Sequence, residues 1–173
     1  MSCTVLFIYP NQRSESLVPP AIAIFSSLLK RYGHSVDLFD TADYDLDADE
    51  YITFKNSQKN KVAVGNLLVR PYESKADSMR KHTSATGDLI KKVEKFKPDI
   101  VAVTSTESTF FLAVQLLRSI KKFNIPTILG GVFATFAPEV AIKYEVIDMV
   151  CVGEDENAIT DLAKKISSDE TGS

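Results

Sequence analysis

The stretch Lys97–Thr109, KPDIVAVTSTEST, decides how the rest of the chain is read. Proline pushes the residue before it out of the helical region, so Lys97-Pro98 ends a helix whose apolar residues Leu89, Ile90, Val93 and Phe96 recur at helical spacing. Asp99–Val103 then reads as a short strand. After its first residue it is apolar without alternation, the mark of a strand covered on both faces. It leaves through a run of hydroxyls, and Phe110, Ala113, Val114, Leu117 and Ile120 form the apolar face of the next helix.

The same pattern repeats outward from this point. Thr4–Tyr9 (TVLFIY) is another short apolar run. Pro19-Pro20 opens a helix that carries Ala21, Ile22, Phe25, Leu28, Leu29 and Tyr32 on one face and stops at Gly33. Ser35–Phe39, Pro126–Leu129 and Asp148–Val152 read as further strands, and Glu154–Ile166 as the last helix. Strands alternating with helices predict an α/β, flavodoxin-like three-layer sandwich. Its five-stranded parallel sheet has the order 2-1-3-4-5, with right-handed crossovers and helices on both faces.

One segment breaks the rhythm. Residues 41–82 are longer than a normal connection in such a fold and read as an insertion after the second strand. Its opening, DYDLDADE, alternates acids but has no glycine at the sixth position and no glutamate at the twelfth, so it is read as a solvated run and not a calcium loop. YITF and KVAVGNLLV could pair as a hairpin across KNSQKNK. Lys55, Lys59, Lys61, Arg70, Lys75, Arg80 and Lys81 make the insertion locally basic, either as decorated surface or as a flap or docking face.

The totals bound the function. With 173 residues the chain is long enough for one full core, and 45% hydrophobic with 25% charged residues is ordinary globular composition. A net charge of −3 offers no overall positive field for nucleic acid. No apolar run reaches the roughly 18 residues of a membrane span, and MSCTVLFIYPNQ lacks the marks of a signal peptide, so the chain reads as cytoplasmic. Cys3 and Cys151 lie in strand-like runs and read as reduced core thiols. Residues 1–167 are expected to form one domain, with 168–173 as a linker or appended tail, and the chain reads as one domain of a longer protein.

In an open parallel sheet, ligands bind beyond the carboxyl ends of the strands where strand order reverses, here between the first and third strands. The loops at that rim are PNQRSESLVPP, TSTEST, GGVFATFAP and GED. They offer the neutral Pro10, Asn11 and Gln12, the hydroxyl-rich Thr104, Ser105, Thr106 and Ser108, the bare backbone of Gly130 and Gly131, and Gly153. Neither GxGxxG nor a Walker lysine motif is present, and the acids of a phospho-acceptor site are missing. Both histidines fall away from the rim, His34 in a helix–strand turn read as surface and His82 in the insertion. Glu154, Asp155 and Glu156 suit the positive end of a helix. The rim reads as a binding platform and not as a catalytic centre. The paired glycines admit two explanations, a tight strand–helix junction or a flat ligand against the backbone.

Together, VPPAIAIFSSLLKRYGHSVDLFD, KPDIVAVTSTEST, ILGGVFATFAPEV and IDMVCVGEDENAITDL resemble the N-terminal cobalamin-binding domain of cobalamin-dependent radical S-adenosylmethionine enzymes, a group of methyltransferases and of cyclases such as the anaerobic magnesium-protoporphyrin monomethyl ester cyclase. The resemblance covers most of the chain outside 41–82. It implies that Gly130 and Gly131, with Val132 and Phe133 beside them, let the corrin or its nucleotide tail lie on the backbone. Thr104, Ser105 and Thr106 would contact the tail, and Pro10, Asn11 and Gln12 would face the corrin's lower side. Gly153 and Glu154 would stand where the family has GEGE.

The sequence departs from that pattern in two places, and from methionine-synthase-type cobalamin domains in a third that the radical enzymes commonly share. The loop after the first strand has no histidine to coordinate cobalt, so the resemblance implies cobalamin held with its own base displaced. Phe133 stands where the family often has histidine, and Asp155 replaces a glycine. Two strand cysteines cannot hold a four-iron cluster, so the cluster and the S-adenosylmethionine would belong to a downstream radical domain of the same polypeptide. The competing readings are a flavodoxin-like domain for a flavin or nucleotide, and a protein-docking domain with no small ligand.

Overall fold

The computed structural model describes residues 2–11, 18–44, 46, 81–153 and 156–169. Gln12, Glu154, Asp155 and the hairpin expected from YITF and KVAVGNLLV lie outside them. The chain divides into two units, Met1–Ala42 with Ser84–Ser173, and Asp43–Thr83.

In the larger unit five parallel strands, β1 (Thr4–Tyr9), β2 (Ser35–Asp40), β3 (Ile100–Thr104), β4 (Thr127–Gly130) and β5 (Met149–Val150), form a sheet in the order β2-β1-β3-β4-β5. This is the flavodoxin-like order the sequence predicts. The helices are α1 (Pro20–Arg31), α2 (Ala85–Phe96), α3 (Phe110–Ile120), α4 (Val132–Phe136), α5 (Pro138–Ala141) and α6 (Glu156–Asp169). Reversal of strand order about β1 sends the crossovers to opposite faces. Cys3, Val5, Phe7, Ile100 and Ala102 pack with Ile22 and Leu29 of α1 and Ile159 and Ala163 of α6. The alternate residues Leu6, Ile8, Val101 and Val103 are buried on the other face, where α2 and α3 pack together.

Local signals explain most boundaries. The first turn of α1 carries proline, and Gly33 turns the chain at φ +83° after its last turn. Ser84 caps α2 by accepting a hydrogen bond from the Gly87 amide (3.3 Å), and Lys97, in the left-handed region before Pro98, ends it. Three boundaries differ from expectation. The ladder of β5 covers only Met149–Val150, where it pairs with β4. Pro138 breaks the segment after the glycines into α4 and α5 at Ala137. The last helix runs on to Asp169.

His34 is a correction. Expected on the surface, it is 7% exposed, and its Nδ1 accepts a hydrogen bond from the Cys3 amide (3.1 Å). That acceptor role puts the neutral ring's proton on Nε2, which has no partner. The imidazole joins the start of β1 to the turn into β2, and burial disfavours its charged form.

At the amino edge of the sheet the same device occurs twice. The Thr4 amide and hydroxyl both donate to Asp99 Oδ2 (2.6 and 2.7 Å), and the Asp99 amide donates back to Thr4 Oγ1 (3.0 Å). The Thr127 amide and hydroxyl likewise meet Asp148 Oδ2 (2.8 and 2.9 Å), with the Asp148 amide returning to Thr127 Oγ1 (3.1 Å). These clamps join β1 to β3 and β4 to β5. The sequence carries their signal in its recurring pairs, TVL with DIVAV and TIL with DMVCV.

In the smaller unit, Tyr44 forms a parallel bridge with Lys81, whose Nζ lies 4.8 Å from the centre of the Tyr44 ring. Among the described residues no helix is long and apolar enough to cross a membrane.

Candidate functional site at the carboxyl edge of the sheet

The carboxyl edge is built by loops that lock to one another. Thr104 pairs with Gly130 in the β3–β4 ladder. Just beyond, the Ser105 amide donates to the Gly130 carbonyl (3.2 Å) and the Phe133 amide to the Ser105 carbonyl (3.1 Å). Thr135 donates to the Gly131 carbonyl through both its amide (3.1 Å) and its hydroxyl (3.0 Å), and that hydroxyl accepts from the Gly153 amide (3.2 Å). The exits of β3, β4 and β5 therefore form one hydrogen-bonded rim.

The two glycines have different jobs. Gly131 has φ +89°, and a β-carbon there would lie 2.5 Å from Thr104 Oγ1 and 3.0 Å from the Ser105 amide nitrogen and carbonyl oxygen. The chain itself requires glycine at this position. Gly130 is open, since a β-carbon would meet nothing closer than 4.0 Å. Ile128 and Met149 pack on the α1/α6 face, and so do Phe7 and Ala102. Two residues further along each strand, on the same face, come Tyr9, Thr104, Gly130 and Cys151. Across this edge Gly130 is a step of bare backbone between Thr104 and Cys151.

The exit of β1 is held from β2. Thr41, fully buried, accepts a hydrogen bond from the Asn11 amide (2.7 Å) and donates to the Asn11 carbonyl (2.8 Å), while its own amide donates to the Tyr9 carbonyl (3.2 Å). Sequence reading assigned Thr41 to the insertion and missed this role. Asn11 itself is 1% exposed, yet neither Nδ2 nor Oδ1 has a partner. Ser105 Oγ, on the neighbouring strand exit, is also buried and unpartnered. Of the four buried side-chain polar atoms without a partner among the described residues, three belong to Asn11 and Ser105. Buried polar groups are otherwise almost always paired, so these three mark the switch point between β1 and β3 as built for something polar.

The other candidates are placed as follows. Pro10 is buried beside Asn11, and Thr106 is exposed, its hydroxyl within 2.9 Å of that of Ser108 and its amide donating to Thr109 Oγ1 (3.1 Å). The Phe133 ring is taken up by stacking on the buried Phe110, at 4.0 Å between centres. Val132 is exposed, as are Phe136 (84%) and Val152, so the β4 and β5 exits carry apolar surface. Gly153, at φ +89°, is open like Gly130. Neither cysteine forms a disulfide, and no group of three or more His, Cys, Asp or Glu residues capable of holding a metal ion occurs among the described residues.

Comparison with known proteins agrees with this geometry. The B12 binding domain family matches residues 76–163, a span that includes β3, β4 and β5 with their rim loops. The chain belongs to the B12-binding domain family. Over 83 residues, 46% of the chain, it is 34% identical to an uncharacterized methyltransferase of Pyrococcus horikoshii, of which it covers 18%. Its fold matches that of the radical S-adenosylmethionine methyltransferase TsrM from Kitasatospora setae, solved with cobalamin and a 4Fe–4S cluster, at a TM-score of 0.65 and 19% identity. The match covers 97% of this chain and 27% of TsrM. A second TsrM structure, with tryptophan substrate and an S-adenosylmethionine analogue, gives a TM-score of 0.64 at 18% identity, covering 96% of this chain and 26% of that one. The chain thus spans between 18% and 27% of these relatives' length.

Proposed function

We propose that this chain is the cobalamin-binding module of a radical S-adenosylmethionine enzyme, holding the cofactor at the carboxyl edge of its sheet while a further domain of the polypeptide carries the iron–sulfur cluster and the S-adenosylmethionine. The observation that carries this reading is the set of buried polar atoms on Asn11 and Ser105 that lack partners at the switch point. Family membership and the fold shared with TsrM support it.

When bound, cobalamin supplies a cobalt centre able to carry and hand on a methyl group, and the protein's part is to hold and orient it. Pro10 and Asn11 would face the lower side of the ring. Residues 10–20 include no histidine to ligate cobalt, and the cofactor would be held with its own base displaced. Thr104, Ser105 and Thr106 receive the nucleotide tail, and Gly130 and Gly131 present backbone against which it lies. Val132 would flank the ring with the apolar surface of Phe136 and Val152, and Gly153 would lie at the rim. The module runs to the end of α6 at Asp169, two residues past the boundary expected from the sequence. The full enzyme is a methyltransferase or a cyclase.

The test is a titration with hydroxocobalamin, read by the visible spectrum retained after gel filtration, on the chain and on the full-length protein. Colour retained with a base-off spectrum, and lost in Gly130→Leu, is the expected result. A full-length protein that retains no colour, or retains a flavin instead, would sink the reading.

A further inference from the structure

The backbone of Asn11 is fully engaged. Its amide and carbonyl are both taken by the Thr41 hydroxyl, and Thr41 is in turn tied to the Tyr9 carbonyl. Only the side chain remains, fixed in place at the switch point, buried, with its donor and its acceptor unused. Leaving such a group unpaired costs on the order of 1–3 kcal/mol. A carboxamide that is buried, rigidly mounted and unsatisfied has a definite complement. Its Oδ1 accepts and its Nδ2 donates, side by side, so the matching group must donate and accept at the same spacing. Another carboxamide does this. A carboxylate presents two acceptors and sets one against Oδ1, while an ammonium presents donors alone. The surroundings favour the neutral choice as well. Among the described residues of these loops, Pro10, Asn11, Thr104–Thr109, Gly130–Ala137 and Cys151–Gly153, there is no lysine, arginine or histidine to neutralise an anion, and Glu107 is acidic.

We infer that Asn11 reads a peripheral carboxamide of the corrin, and that Thr41 is the positioning residue that holds Asn11 in place to do so. The inference rests on the cobalamin reading and deepens it, because the corrin ring is edged by primary carboxamides. The site would therefore distinguish cobalamin from corrinoids in which that one amide is a carboxylate. A site built to hydrogen-bond a ligand rejects analogues that cannot reciprocate, because its own groups are then left unpaired.

The experiment measures binding of hydroxocobalamin and of its separate monocarboxylic acid isomers, each with one peripheral amide hydrolysed, by equilibrium dialysis. Wild type should bind one isomer about ten-fold or more weakly than hydroxocobalamin and the rest nearly as well. In Asn11→Leu, which removes the unpaired polar atoms at similar volume and so leaves folding intact, that isomer and hydroxocobalamin should bind alike. Thr41→Val should shrink the discrimination and Thr41→Ser should keep it, a split that a merely structural role would not produce. Equal binding of all isomers by wild type, or discrimination that survives Asn11→Leu, would overturn the assignment to Asn11 while leaving cobalamin binding intact. Discrimination unchanged in Thr41→Val overturns the role of Thr41. Failure of the full-length wild-type protein to bind hydroxocobalamin and every isomer overturns the cobalamin reading and this inference with it.

Discussion

Gly131 and Thr104 stand so close that a β-carbon on the glycine would lie 2.5 Å from the threonine Oγ1. Its neighbour Gly130 has no such contact. The two positions therefore separate folding from binding. Gly131→Ala should destabilise by about 2–4 kcal/mol, from the left-handed backbone together with the overlap against Thr104 and Ser105. Gly130→Ala should leave the urea midpoint nearly unchanged while weakening retention of hydroxocobalamin. Two alanine variants with the same midpoint would contradict this division.

Thr41→Val removes the hydroxyl that serves both the amide and the carbonyl of Asn11, at a site without solvent. The expected cost is about 1–3 kcal/mol, read as a lower urea midpoint at unchanged m-value. Thr41→Ser, which keeps the hydroxyl, should recover most of it.

His34 couples stability to pH. Burial first, then Lys164 and the N-terminal amine, lower its pKa below the ordinary value of about 6.5. The unfolded chain then binds the proton more readily than the folded one, so stability is fully present above about pH 6.5 and is lost as pH falls through the folded-state value. Protonation would also end acceptance from the Cys3 amide at Nδ1. The thermal midpoint should fall more steeply between pH 7 and 5 in wild type than in His34→Asn. Parallel profiles would remove His34 from the cause.

The two amino-edge clamps should differ in strength although they share a geometry. Asp99 is half-buried and Asp148 exposed, so water can replace more of what Asp148 provides. Asp99→Ala should cost about 2 kcal/mol and Asp148→Ala about 1 kcal/mol by chemical denaturation. The reverse order would mean that strand pairing, and not burial, sets the cost.

Sheet order and element positions were legible because the marks that set them are local. Pro98, Gly33 and the uninterrupted apolar runs each state a boundary or a buried strand within a few residues. What was not legible depends on partners far along the chain. Thr41 gains its role from Asn11, thirty positions away, and His34 is buried because the start of β1 covers it. The different characters of Gly130 and Gly131 arise from the path of the β3 exit, which no pattern in GGVFATF discloses. Asn11 was legible as a neutral polar residue at the rim, but its unmet hydrogen bonds follow only from the fold. The edge position of β5 could be read, whereas the shortness of its ladder could not.

The clamps lie at one end of the strands, and the open glycines with the unmet side chains of Asn11 and Ser105 at the other. Both borders are fastened, but the carboxyl one keeps hydrogen-bonding capacity in reserve, like a seam sewn with thread left over. A cofactor seated there would take up that thread. Its arrival should register as slowed amide hydrogen exchange at Asn11, Ser105 and Phe133, with Thr4, Asp99, Thr127 and Asp148 scarcely altered.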